Sequence, residues 1–179
     1  MLHYMAIVIV FGLALMSSGQ GKRPSDVPEN LRAPDGEELI LQAHAIGSQI
    51  YVCQAGADQK LAWTLKAPDA ELRDGKGLLI GHHYAGPTWK HSDGNEVMGA
   101  VAAKQEAPDP NSIPWLLLRA TGHSGSGVLS RVTSIQRIHT QGGRPPGANC
   151  EESLRSKEVK SPYSADYYFY APSVAKRSE

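Results

Sequence analysis

The sequence is poor in cysteine and in phenylalanine, with two of each in 179 residues. It also lacks any excess of one charge: 18 Lys and Arg stand against 18 Asp and Glu. A balanced chain shows no electrostatic footprint for nucleic acid or for an anionic membrane, so neither is expected as a partner. Nothing like CxxC is present, so Cys53 and Cys150 form no recognisable redox or zinc motif. Long apolar runs are missing apart from one, Met5 to Met16, "MAIVIVFGLALM". That run is shorter than the roughly 20 apolar residues a spanning helix needs. Internal repeats and low-complexity tracts are absent as well.

What is there begins with that run. It fits the apolar core of a secretory signal peptide, and the small residues Ser17, Ser18 and Gly19 follow it. Residues 1–19 are expected to be removed, with cleavage near Gly19–Gln20. The n-region has only His3 and the α-amino group to supply charge, and an uncleaved anchor is the alternative. No Cys follows the run, so a lipid anchor is not expected. The mature chain is then secreted or periplasmic, without stable membrane insertion. In an oxidising compartment two cysteines read as a disulfide, Cys53–Cys150, against the plainer reading of two separately buried thiols.

Residues 20–36, "QGKRPSDVPENLRAPDG", are polar and proline-rich and read as an extended segment that Val27 and Leu31 pin to the core. Residues 37–172 read as one β domain, and 173–179 as a disordered tail. Within the domain, short apolar runs alternate with turn signals, and 12 Pro and 18 Gly argue for many turns and few helices. Glu38 to Ala45 and "QIYVCQ" (Gln49 to Gln54) are expected strands joined as a hairpin at Gly47-Ser48. "LAWTLK" alternates Leu61, Trp63 and Leu65 on one face, as a half-buried strand does. Turns are expected at Asp74-Gly75 and Asp93-Gly94, and a strand over Val97 to Ala103. "IPWLLLRA" from Ile113 reads as a central strand covered on both faces. Val128 to His139 reads as a long strand, although Val132, Ile135 and Ile138 also suit a helix. Glu151 to Lys160 reads as a short helix or exposed loop, and "ADYYFY" as a closing aromatic strand. The expected class is all-β: a single-domain sandwich or barrel with many short strands and Gly/Pro-rich loops.

Three constellations are candidates for chemistry. "GHHYAGPTWKHSDG" holds His82, His83 and His91 beside Tyr84 and Trp89. In a strand, adjacent His82 and His83 point to opposite faces, so a metal shared with His91 and Asp93 is a weak reading, and no metal or other cofactor is expected. The bland reading is one packed and one solvated histidine in a loop that Pro87 stiffens. A pocket lined by His82, Tyr84 and Trp89 for a small polar ligand or a glycan lies between the two. The favoured face combines His83, Tyr84, Trp89 and the Gly122–Gly127 loop. "GHSGSG", Gly122 to Gly127, resembles a nucleophile elbow at Ser124. Ser126 occupies the final Gly position, and no βαβ rhythm surrounds it. A dinucleotide loop starting at Gly125 fails at Ser130. The bland reading is a glycine-rich connection with His123 and Ser124 near the His83–Trp89 block. Tyr163, Tyr167, Tyr168, Phe169 and Tyr170 form the third set. Tyr168 and Tyr170 share one strand face, Tyr167 and Phe169 the other, and core packing is their default.

The blocks "VPENLRAPDGEELILQAHAIGSQIYVCQ", "HHYAGPTWKHSDGNEVMG", "IPWLLLRAT", "GVLSRVTSIQRIHTQGG" and "SADYYFYAP" occur in that order. Together they resemble a secreted microbial family catalogued as domain of unknown function 3455, over Val27 to Pro172. The resemblance implies one exported domain with Cys53 and Cys150 paired. It implies no activity and supplies no catalytic residues. The expectation is therefore a secreted, disulfide-bonded β domain that binds a small polar ligand, a glycan or an envelope component. The ligand-binding candidates are His83, Tyr84, Trp89, His123 and Ser124. A hydrolase or metal-dependent enzyme and a purely structural envelope protein are the alternatives.

Overall fold

A computed structural model describes residues 22–174. The expected signal peptide, and residues 175–179 of the expected tail, lie outside the described residues. Eight antiparallel strands follow one another around a closed barrel: β1 (Glu37–Ala55), β2 (Leu61–Arg73), β3 (Leu79–Tyr84), β4 (Thr88–His91), β5 (Glu96–Gln105), β6 (Trp115–Ser124), β7 (Ser134–Gly142) and β8 (Glu158–Pro172). Pairing of β8 with β1 closes the ring, so the sheet has no free edge. Closure explains how a chain with short apolar runs makes a core. Alternate residues of every strand point into one shared interior.

The interior is filled by matching small residues with large ones. On β1, Ala43 and Gly47 face Tyr167 and Tyr163 of β8, and Ala45 faces Ala165. Rings from β8 occupy the space that the small β1 residues leave. Two strands are much longer than the sequence pattern suggested, β1 with 19 residues and β8 with 15. The expected hairpin at Gly47-Ser48 does not form. Gly47 sits in mid-strand, paired with Ala70 on one side and Tyr163 on the other. A Cβ there would lie 2.2 Å from the Asp69 carbonyl oxygen and 2.5 Å from Ala70 Cα. Glycine is needed for this close approach of β2, and not for a turn.

Val128 to His139 also divides differently from its expected single strand. A 3-10 turn, Val128–Arg131, precedes β7. Leu129 and Val132 plug the core from the connection, Ile135 points inward and Ile138 outward. The three-residue spacing thus came from a turn followed by a strand. Glu152–Leu154 is likewise a 3-10 turn, before β8 begins at Glu158.

Outward-facing residues form a second apolar cluster beneath the N-terminal segment. Val27, Leu31 and Ala33 cover Leu39, Trp115, Leu117, Ile138, Tyr168 and Tyr170. "IPWLLLRA" is therefore buried on both faces, by the barrel interior at Leu118 and by the segment at Leu117. Burying Val27 and Leu31 contributes about 1.5–3 kcal/mol each. Gln136 Nε2 donates to the Leu31 carbonyl at 2.6 Å, and Tyr170 Oη donates to Gln136 Oε1 at 2.5 Å. Elsewhere the outer face carries ion pairs: Lys90–Glu96 joins neighbouring strands, and Lys160–Asp69 reaches across β1 from β8 to β2. Among the described residues no helix is long and apolar enough to cross a membrane.

His139 fastens this strap. It lies at a register break in β7, with φ of 51°, and its ring reaches two carboxylates. Nε2 is 2.8 Å from Asp26 and Nδ1 is 2.9 Å from Asp166. Burial alone would lower its pKa, but the hydrogen bonds and charges of Asp26 and Asp166 outweigh burial and raise it above the ordinary 6.5. The hydrogen bond from His139 is the largest influence on Asp26, which shifts below 3.8. A raised histidine stabilises the fold fully below its unfolded value, and that contribution fades as pH rises through the folded value. A lowered aspartate adds stability above its unfolded value, lost as pH falls through the folded one. The clamp is strongest between these limits. His139→Asn should therefore flatten the decline in urea midpoint between about pH 6 and about pH 8. Equal slopes in the two proteins would show that the clamp contributes nothing.

Candidate functional site

At the end of the barrel that carries the β3–β4 turn, a cavity of about 140 Å³ enters the interior. Its rim has exposed Leu65, Pro87 and Val101, and its depth is walled by Leu116, Leu118, Pro68 and Tyr167. Polar side chains interrupt the apolar wall: Gln49 on β1, His83 on β3, Trp89 on β4 and Arg137 on β7. Gln49 and Arg137 come from strands far in sequence from the His83–Trp89 hairpin, and they join it only because the sheet closes.

Trp89 is the centre of this wall. His83 and Trp89 are cross-strand partners and both point inward. Their rings stack in parallel with centroids 4.4 Å apart, and Trp89 meets Tyr167 and Phe169 edge-on. His83 Nδ1 lies 2.9 Å from the Thr88 carbonyl oxygen, which only accepts, so Nδ1 carries the proton and Nε2 keeps its lone pair. Burial, opposed by that hydrogen bond and helped by the charge of Arg137, lowers the His83 pKa to about 3. The imidazole is neutral near neutral pH. Burial also raises Tyr163 and Tyr167, so both phenols keep their protons.

Several polar atoms in and under this wall have no hydrogen-bond partner: Gln49 Nε2, Trp89 Nε1, Arg137 Nε and the hydroxyls of Tyr163 and Tyr167. The two hydroxyls lie within hydrogen-bonding reach of each other, Tyr163 also of Gln49 and Tyr167 also of Arg137, but these contacts are poorly aligned. Leaving such atoms unmatched costs about 1–3 kcal/mol each, so a group that satisfies them is favoured there.

The barrel and its cavity lie within a stretch of known kin. Residues 34–171, from just before β1 to the end of β8, match the family model described as "Protein of unknown function (DUF3455)". The chain belongs to this family. No curated protein and no solved structure matches it.

In this DUF3455 barrel the residues singled out from sequence fall into three places. His83 and Trp89 line the cavity. Tyr84, one residue on from His83, faces outward, where it bonds Glu96 together with Lys90. Ser124 joins that outer group, with Oγ 3.5 Å from Glu96 Oε2. The hydrogen bond from Lys90, and then that from Tyr84, hold the Glu96 carboxyl below its usual range, which makes it a poor base for Ser124. His123 belongs to the row Trp89–Val97–His123, two strands or about 10 Å from Trp89. Its Nε2 donates to the Val132 carbonyl at 2.8 Å and so holds the connection after β6.

His82 lies outside the barrel and His83 inside, while His91 pairs with Asp93 at 3.0 Å. His82 and His91 border one outer depression of about 210 Å³. Among the described residues no group of three or more His, Cys, Asp or Glu is placed to hold a metal ion.

"GHSGSG" is the end of β6 and the start of the plug at the opposite end of the barrel. Ser124 lies roughly 20 Å along β6 from Leu118 of the cavity wall. Buried Asn95 accepts from Leu129 N–H at 2.8 Å, and Asp93 accepts from Val128 N–H at 3.3 Å. A Cβ on Gly127 would overlap Asn95 Nδ2 at 1.9 Å, and Gly125 has φ of +70°. These glycines let the chain fold tightly over Asp93 and Asn95 and insert Leu129 and Val132 into the core.

Sequence reasoning missed Gln49 and Arg137. Each carried a signal in its strand alternation. Gln49 shares a face with Tyr51 and Cys53, and Arg137 shares one with Ile135. A polar residue in an inward register is what marks a lined interior.

Proposed function

We propose that this domain is a binding module and that its ligand is a small, largely apolar molecule held in the mouth of the barrel. The observation that carries this is an apolar cavity at the mouth of the barrel, interrupted by the polar side chains of Gln49, His83, Trp89 and Arg137. Eight strands make a barrel just wide enough to be filled by side chains or to hold one small ligand. Most ligand pockets measure about 300–1,000 Å³, and a cavity of about 150 Å³ takes a benzene-sized guest. The volume here therefore supports a single ring or a short chain, and a glycan is too large for the enclosed part. Secretion or periplasmic export belongs to the same proposal, supported by the disulfide and by the apolar run of residues 5–16.

Titration with benzyl alcohol, followed by ¹H–¹⁵N NMR, tests the site. Expected are saturable shifts at the Trp89 indole and at the amides of His83, Leu65 and Val101. Val101→Trp fills the exposed rim and should abolish them while leaving the fold intact. Shifts scattered over the outer surface, or unaffected by the rim substitution, would refute the cavity as the site.

A further inference from the structure

We infer that the ligand is a small carboxylate: a monoanion with a compact apolar body and its charged head toward Arg137. The inference rests on the reading of the cavity as a binding site. It follows from which polar groups line that cavity. Gln49, Trp89 and Arg137 line it, and their Nε2, Nε1 and Nε atoms are donors packed just behind its surface without a well-aligned acceptor. Tyr167 adds a hydroxyl that remains protonated. The Tyr163 and Tyr167 oxygens near Gln49 and Arg137 are poorly aligned acceptors, so a better-placed acceptor is favoured beside Arg137.

Charge points the same way. Arg137 carries a permanent positive charge, and no Asp or Glu lines the cavity. Among the described residues, none of the ion pairs involves Arg137. Its Nη2 donates to the neutral Pro114 carbonyl at 2.8 Å, which orients the guanidinium without neutralising it. His83, neutral and acceptor-bearing, adds no second cation. A half-buried cation without a counter-ion is costly, and a carboxylate matches the guanidinium fork in charge and geometry. The rest of the wall is Leu65, Pro68, Pro87, Val101, Leu116 and Leu118. That lining suits a hydrocarbon body, whereas a bare inorganic anion leaves it exposed to water. A benzoate-sized acid satisfies both halves of the site.

The test compares benzoate with benzyl alcohol, which keeps the ring and removes the charge, and with inorganic phosphate, which keeps the charge and removes the ring. Isothermal titration of the full mature chain at neutral pH should show benzoate binding about tenfold tighter than benzyl alcohol, and phosphate much more weakly than benzoate. Arg137→Gln keeps a donor for Pro114 and removes the charge. It should weaken benzoate far more than benzyl alcohol and bring the ratio of their affinities near one. If that variant does not fold, Gln49→Leu is the second: it removes one donor and should weaken benzoate several-fold more than benzyl alcohol. Equal affinity of the two ring compounds in the wild type, or a preference that survives in folded Arg137→Gln, overturns the carboxylate inference and leaves the cavity standing. Phosphate binding as tightly as benzoate overturns it as well. Binding of neither ring compound overturns both readings.

Discussion

Replacing Cys53 and Cys150 together by serine is expected to lower the unfolding free energy by about 4–5 kcal/mol. The bond joins residues 97 apart in sequence, and the chain-entropy treatment assigns that much to constraining so long a loop in the unfolded chain. Native geometry supports the full effect, because the Cα atoms stand 5.4 Å apart, within the usual range for a bridge. The bridge also acts locally. It ties the connection between β7 and β8 to the end of β1, where Cys53 N–H donates to the Lys157 carbonyl and Ser156 N–H donates to the Cys53 carbonyl. Trp63 Nε1 donates to the Ala148 carbonyl of the same connection at 2.9 Å. Denaturant unfolding of the wild type and the double variant measures the loss, and hydrogen exchange should show residues 144–157 opening first. A loss below about 1 kcal/mol would mean that these hydrogen bonds already hold the connection without the bond.

Trp89→Ala is expected to cost about 3–5 kcal/mol. The indole is fully buried, stacks on His83, meets Tyr167 and Phe169 edge-on, and rests above Gly99. Few side chains are available to collapse into the space, because the barrel backbone is closed. The second consequence separates this loss from ordinary truncation. Burial is the main reason that the His83 pKa lies at about 3, and removing the indole opens that ring to the cavity. Its pKa should move upward toward the ordinary 6.5. In the wild type the neutral folded ring costs stability as pH falls from 6.5 toward 3, because the unfolded chain takes up the proton first. In the variant that decline should be shallower. NMR titration of the His83 ring, beside unfolding midpoints, checks both halves. An unmoved pKa would show that other groups keep His83 dry.

Strand content was legible from the alternation of residues such as Leu61, Trp63 and Leu65, and the pairing of Cys53 with Cys150 from cysteine number together with the reading of residues 5–16 as a signal peptide. The opposite faces of Tyr167 and Tyr168 were legible by the same period of two. Gly47-Ser48 was not, because a glycine that permits a turn and one that lets two strands approach are the same residue in sequence. Val132, Ile135 and Ile138 misled for a related reason: their spacing records a turn, an inward position and an outward position under the strap. The cavity was half legible. His83 and Trp89 drew attention as a local cluster. Gln49 and Arg137 join them only through closure of β8 on β1, a long-range event that no local window contains. Strand alternation beside His83 sends Tyr84 outward, and the length of β6 puts Ser124 near the opposite end.

The barrel interior, and no other surface, is proposed to receive the ligand. A crystal structure of the protein soaked with benzoate would show where the acid sits. One bound molecule is expected, with its ring between Leu116, Leu118 and Trp89 and its carboxylate beside Arg137 and Gln49. Ordered water filling the cavity, with benzoate elsewhere or absent, would contradict it.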